Sequence, residues 1–125
     1  MRTVLVIEDN DAVREELIEI LSLEGFTAIG AEDGCVGVQR IREHHPDLVI
    51  CDVMMPCLDG YGMLAAVRGD PVLARTPFVF LTARKEEADV RKGLALGANG
   101  YLTKPFLISE LLSIVSANLP SQAEG

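Results

Sequence analysis

Short apolar runs rich in β-branched residues alternate five times with longer amphipathic stretches, and few folds accommodate that rhythm. Val4–Ile7, Phe26–Ile29, Asp47–Cys51, Phe78–Leu81 and Asn99–Thr103 read as strands. Between the first two, Asp11–Leu23 sets Val13, Leu17, Ile20 and Leu21 along one helical face, with Asn10 or Asp11 to cap it and Gly25 to close it. Asp33–His44 turns Val38 and Ile41 inward. Asp59 is placed to cap a helix running to Arg68, with Met63, Leu64 and Val67 inward. Glu86–Leu96 and Leu107–Leu119 complete the set, the last with Leu107, Leu111, Leu112 and Val115 on one face. Strands that are apolar along their whole length belong in a parallel sheet covered on both faces, so a doubly wound α/β domain is expected. Gly62 and Gly93 fall inside helices and Gly100 in the fifth strand, which predicts soft third and fourth helices.

The length of 125 residues suits one domain, expected over residues 1–120, with 121–125 a polar tail or the start of a linker. With 49% hydrophobic and 24% charged residues, the composition is that of a globular protein and excludes a fibre or a disordered tail. The formal net charge is −8, and the acid is concentrated in the first half: residues 1–62 carry −9 and residues 63–125 carry +1. So acidic a domain repels a phosphate backbone and is expected to bind no nucleic acid by itself. The apolar runs are far shorter than the ~18 residues of a membrane span, and Glu8 and Asp9 interrupt anything resembling a signal peptide. Cys35, Cys51 and Cys57 are an odd number without metal-binding spacing. They read as reduced thiols of a cytoplasmic protein, Cys51 in the core and Cys57 in a loop. His44 and His45 sit at a helix end, where cations are favoured, and read as structural.

Polar residues follow the strands in a pattern. Glu8 and Asp9 follow the first, Asp52 the third, Thr82 the fourth and Lys104 the fifth. In a parallel sheet these positions share one edge, where ligands of such folds bind. Glu8 and Asp9 alone would serve equally well to favour the N-terminus of the first helix. Three carboxylates gathered at one edge, however, repel one another unless cations join them. Lys104 supplies one positive charge. Mg²⁺, which takes carboxylates, keeps waters and accepts phosphate oxygens, suits the remainder.

These residues resemble those of a response-regulator receiver domain, of the CheY-like superfamily, the phosphorylatable half of two-component signalling. The likeness runs from Val4 to about Leu119. It rests on Glu8-Asp9, on Asp52-Val53-Met54-Met55-Pro56 with Asp59-Gly60, on Thr82-Ala83, and on Tyr101 to Phe106 with Lys104-Pro105 inside. The resemblance implies a flavodoxin-like (βα)5 fold with strand order 2-1-3-4-5. It implies that Asp52 accepts a phosphoryl group from a histidine kinase or a histidine phosphotransfer protein. Asp9 would bind Mg²⁺ or Mn²⁺ with Asp52 and the backbone carbonyl of Met54, while Glu8, being longer, would hold a metal-bound water. Lys104 would pair with Asp52 or with the phosphate, and the Lys104–Pro105 bond would be cis. Thr82 and Tyr101 would be the switch pair, although Tyr101 also reads as a half-buried strand aromatic.

Phosphorylation would reshape the surface of the fourth helix, fifth strand and fifth helix, and so control a downstream partner or a fused output domain, with dimerisation as one outcome. Arg84, Lys85, Arg91 and Lys92 make that surface less acidic, as a plain solvated face also would. Arg84 is placed to contact or screen the phosphoryl group. The domain would be no enzyme beyond its own phosphorylation and dephosphorylation. A Mg²⁺ phosphohydrolase of similar topology would want an acid two residues after Asp52, where Met54 stands. A flavin binder would want a Ser/Thr/Gly-rich loop after the first strand, where Glu8-Asp9-Asn10-Asp11 stands. An adaptor that is never phosphorylated would need neither Asp52 nor Lys104.

Overall fold

In a computed structural model, residues 2–55, 57–83 and 87–119 are described, the side chains of 87–90 excepted. The five runs form strands β1 (Thr3–Ile7), β2 (Thr27–Ala31), β3 (Leu48–Asp52), β4 (Phe78–Thr82) and β5 (Gly100–Thr103). Between and after them lie helices α1 (Asp11–Leu23), α2 (Gly34–His44), α3 (Gly60–Gly69), α4 (Glu87–Ala95) and α5 (Ile108–Asn118). All four strand pairings are parallel, in the order β2-β1-β3-β4-β5. The expected doubly wound, five-stranded sheet is therefore present.

Alternation along the strands explains the two layers. Val4 and Val6 of β1, Leu48 and Ile50 of β3, and Val79 and Leu81 of β4 pack with Leu17 and Leu21 of α1 and Leu111 and Val115 of α5. Their neighbours Leu5, Ile7, Val49, Cys51, Phe78 and Phe80 pack with Ile41 of α2 and Met63, Leu64 and Val67 of α3 on the other face. Successive strand side chains point to opposite faces, so strands covered on both sides must be apolar throughout. β3 and β4 are buried at every residue.

Side-chain caps fix where three helices begin. Asn10 accepts the N–H of Val13, Asp33 that of Val36 and Asp59 that of Gly62, each satisfying a backbone donor that the first turn leaves open. Leu107 lies just before α5, is 67% exposed, and is not part of the inward face expected for it. It precedes the first helical turn and projects past the layer that Leu111 and Val115 bury.

Gly93 does not soften α4 without purpose. A Cβ there would stand 2.9 Å from the ring of Phe80, so the missing side chain lets α4 close on β4. Residues 121–125, Arg84 and Lys85, for which a tail, a phosphate contact and a basic face were expected, lie outside the described residues.

Candidate functional site

Reversal of strand order between β1 and β3 opens a crevice at their carboxyl ends, and the polar residues gather there. Asp52 is the last residue of β3 and is buried. Glu8 continues β1: its N–H donates to the carbonyl of Ala31 at 3.0 Å, and its side chain is 1% exposed. Lys104 follows β5, held by its own N–H donating to the carbonyl of Thr82 at 2.7 Å, and its bond to Pro105 is cis.

The Lys104 ammonium bridges two acids from distant parts of the chain. Nζ lies 2.6 Å from Oε1 of Glu8 and 3.0 Å from Oδ2 of Asp52. The second oxygen of Glu8 accepts the N–H of Asn10 at 3.1 Å, and the second oxygen of Asp52 accepts the N–H of Met54 at 3.3 Å. Asp9 is exposed, yet a carboxylate oxygen from each of Glu8, Asp9 and Asp52 lies within 4.8 Å of the other two. Arg14 of α1 donates to the Glu8 carbonyl at 2.8 Å and ties the helix to this rim. Thr82 closes β4 in register with Thr103, its side chain buried.

Glu8 is buried against Lys104, whereas Asp9 stands exposed at the rim. Burial pushes the Glu8 carboxyl above its ordinary value. Hydrogen bonds from Lys104 and Asn10 oppose the rise, and the charge of Asp52 adds to it. At Lys104, burial pulls the ammonium down, but its hydrogen bonds to Glu8 and Asp52 and their negative charge prevail, and the net shift is upward. With one ammonium among three carboxylates, two negative charges are left uncompensated when all are ionised. Oxygen donors with that excess match a hard dication better than a soft one.

Tyr101 lies half-buried on β5, its ring 5.8 Å from that of Phe80, which in turn stands 5.3 Å from Tyr61 of α3. Lys92 of α4 places its ammonium 4.3 Å over the Tyr61 ring. A chain of aromatic contacts therefore crosses from α3 to β5 beneath α4.

Two features escaped the sequence. Cys35 and Cys57 are not free thiols: they are joined by a disulfide, their Cα atoms 6.1 Å apart. The pairing was illegible because it depends on the β3–α3 loop folding over the start of α2, which a spacing of 22 residues does not encode. Cys51 is the buried free thiol expected, and burial pushes its pKa well up. The second is Arg68, which the sequence marked only as the end of the helix that Asp59 caps. Its guanidinium donates to the carbonyls of Gly97, Ala74 and Thr76 and to the side chain of Asn99, so it ties three segments together. Burial lowers its pKa.

The profile of the response regulator receiver domain matches residues 4–116, nearly the whole chain. The chain belongs to the response regulator receiver domain family. This receiver domain is 36% identical to protein PilG of Pseudomonas aeruginosa over 118 residues, covering 94% of the chain and 87% of PilG. It is 37% identical to the phosphate regulon transcriptional regulatory protein PhoB of Escherichia coli over 116 residues, covering 93% of the chain and 51% of PhoB. It therefore spans most of one relative and about half the length of the other. Among solved structures, chemotaxis protein CheY4 of Vibrio cholerae superposes with a TM-score of 0.90 at 30% identity, covering 95% of this chain and 99% of that one. A putative response regulator from Chloroflexus aurantiacus superposes at 0.88 with 36% identity, covering 93% of this chain and 95% of that one. Receiver domains are signalling switches placed between histidine kinases and output partners. Among the described residues, no helix of this receiver domain is long and apolar enough to cross a membrane.

Proposed function

We propose that this receiver domain is a cytoplasmic switch that accepts a phosphoryl group on Asp52 from a phosphohistidine of a kinase or phosphotransfer protein. What carries the reading is the position of the Asp52 carboxylate, recessed at the rim, 3.0 Å from Lys104 and within 4.8 Å of Glu8 and Asp9 oxygens. An oxygen of Asp52 attacks phosphorus, the phosphorus–nitrogen bond breaks, and its electron pair returns to the donor imidazole. Asp52 is held for this by the Met54 N–H on one oxygen and by Lys104 on the other. Lys104 then follows the new charge onto the phosphoryl oxygens, while Glu8 keeps the ammonium from leaving the crevice.

Asp9, Asp52 and the Met54 carbonyl are the groups we assign to Mg²⁺, with Glu8 oriented by Lys104 behind them. Bound there, the ion supplies charge neutralisation for the incoming phosphoryl oxygens. Thr82, at the end of β4, would donate its hydroxyl to the phosphoryl group. Its movement would make room for Tyr101, which lies on β5 beside Phe80, two residues before the partner of Thr82. The phosphoryl group adds about −1.5 to −2 charge, enough to bias α4, β5 and α5 between two arrangements that a partner tells apart.

The test is intact mass after incubation with a small acyl phosphate and Mg²⁺. One phosphoryl group is expected on the wild type, and none on Asp52→Asn or in the presence of a chelator. Unchanged incorporation in Asp52→Asn removes the proposal.

A further inference from the structure

Beside the phosphorylation crevice, the loop between β3 and α3 is fastened to the start of α2. Gly34 approaches that loop so closely that a Cβ on it would lie 2.1 Å from the Leu58 carbonyl oxygen. One residue along, Cys35 is bonded to Cys57. Both cysteines are exposed, so reagents reach the bond from solvent. Cys57 has φ of +73°, in the left-handed region that non-glycine residues seldom hold without an external constraint. The same loop begins at Asp52 and contains Met54, whose N–H grips the Asp52 carboxylate. It ends at Asp59, which caps α3.

We infer that Cys35 and Cys57 form a reversible dithiol–disulfide site whose oxidation immobilises the phosphorylation loop and thereby sets the rate at which Asp52 is phosphorylated. The regulatory half rests on the role proposed for Asp52; the chemical half does not. In a reducing cytoplasm a disulfide is seldom a permanent staple and is more often transient and redox-sensing. Its exposure suits exchange. The oxidant is a disulfide, of a small thiol or of a thioredoxin-type protein. One cysteine thiolate attacks a sulfur of that reagent and expels one thiol, leaving a mixed disulfide. The second cysteine thiolate attacks the protein's sulfur in the mixed bond and expels the other thiol. The protein gives up two protons and two electrons, and the reagent disulfide becomes two thiols. A carboxylate oxygen of Asp33 lies within 4.8 Å of both sulfurs, which raises a thiolate metal site as the rival use of the cluster. Its carboxylate already accepts the Val36 N–H as the helix cap, which favours redox chemistry over metal binding.

The experiment uses the full chain, reduced with a phosphine and then oxidised with glutathione disulfide. Peptide mapping is expected to find the Cys35–Cys57 bond in the oxidised form and two alkylatable thiols in the native reduced form, Cys51 being shielded. Amide hydrogen exchange over residues 53–59 is expected to slow on oxidation. Phosphorylation by a small acyl phosphate with Mg²⁺ is expected to run about fivefold faster in the oxidised form, the gain from a loop already held in its left-handed conformation. The double variant Cys35→Ser/Cys57→Ser should be insensitive to both reagents, and either single variant should stop at a mixed disulfide with glutathione that leaves exchange over the loop unslowed. Absence of the mapped bond, or exchange over the loop that ignores oxidation, overturns the inference. So does zinc bound stoichiometrically to the reduced protein and blocking both thiols. Equal phosphorylation rates overturn the regulatory half. A mapped bond that slows exchange, in a protein that takes up no phosphoryl group in either state, supports the clamp and overturns the role of Asp52 instead.

Discussion

Lys104 is the residue on which the electrostatics of the rim turn. It holds Glu8, 1% exposed, and Asp52 in one ion-pair group. Removing it leaves buried carboxylates without a counter-charge, a larger penalty than the loss of an exposed pair. Lys104→Ala should lower stability at pH 7 by about 1–3 kcal/mol, measured by urea unfolding. The deficit should shrink on acidification. A carboxyl whose folded pKa is raised stabilises most below its unfolded value and loses that contribution as pH rises through the folded value. Glu8 is raised from 4.5, and losing Lys104 removes a hydrogen bond that restrains the rise. Lys104 itself is raised from 10.5, so its contribution is complete below that pH and is lost above it. A deficit that does not change between pH 7 and pH 4 would mean that Glu8 is not the group left exposed to the penalty.

Among the elements, α4 and α1 show opposite local rules. Gly93 costs α4 about 1 kcal/mol of helix propensity relative to alanine. The Cβ of Gly93→Ala would meet the Phe80 ring at 2.9 Å, and overpacking of that kind costs about 1–3 kcal/mol. Packing outweighs propensity, so Gly93→Ala should lower the melting temperature even though it improves the helix; a rise would show that α4 yields readily. In α1, Asn10→Ala removes the acceptor for the Val13 N–H and should cost about 1 kcal/mol in chemical denaturation. The element types and their inward faces were legible because apolar spacing is a local signal. Leu107 was misread as inward because periodicity continues past the point where the helix starts, and only the packing of Leu111 and Val115 shows where the layer stops.

Seen whole, the molecule hangs two cores on one sheet, and Phe80 is central to one of them, touching Phe78, Tyr61 and Tyr101. Phe80→Ala should cost about 3–5 kcal/mol, a large share of the ~5–15 kcal/mol that holds a domain together. Thermal unfolding and loss of near-ultraviolet tyrosine dichroism would report it. Mg²⁺ should act in the other direction. A ligand that binds only the folded state stabilises it by about 3 kcal/mol at a hundredfold excess over its Kd. The melting temperature of the wild type should therefore rise with Mg²⁺ and fall back with chelator, and Asp9→Asn should blunt the rise. An equal response in Asp9→Asn would remove Asp9 from the proposed metal ligands.

The order of strands and helices, the parallel sheet and the polar residues that follow each strand could be read along the chain without coordinates. Each of these is written in near neighbours: a period of apolar residues, a cap, an acid after a β-branched run. Tertiary structure alone decided that Glu8 rather than solvent receives one side of Lys104, that Arg68 binds three segments, and that Cys35 meets Cys57. The cause is physical. These contacts join residues between 6 and 96 positions apart, and their partners are set by where loops cross the ends of a twisted sheet, which no local pattern records.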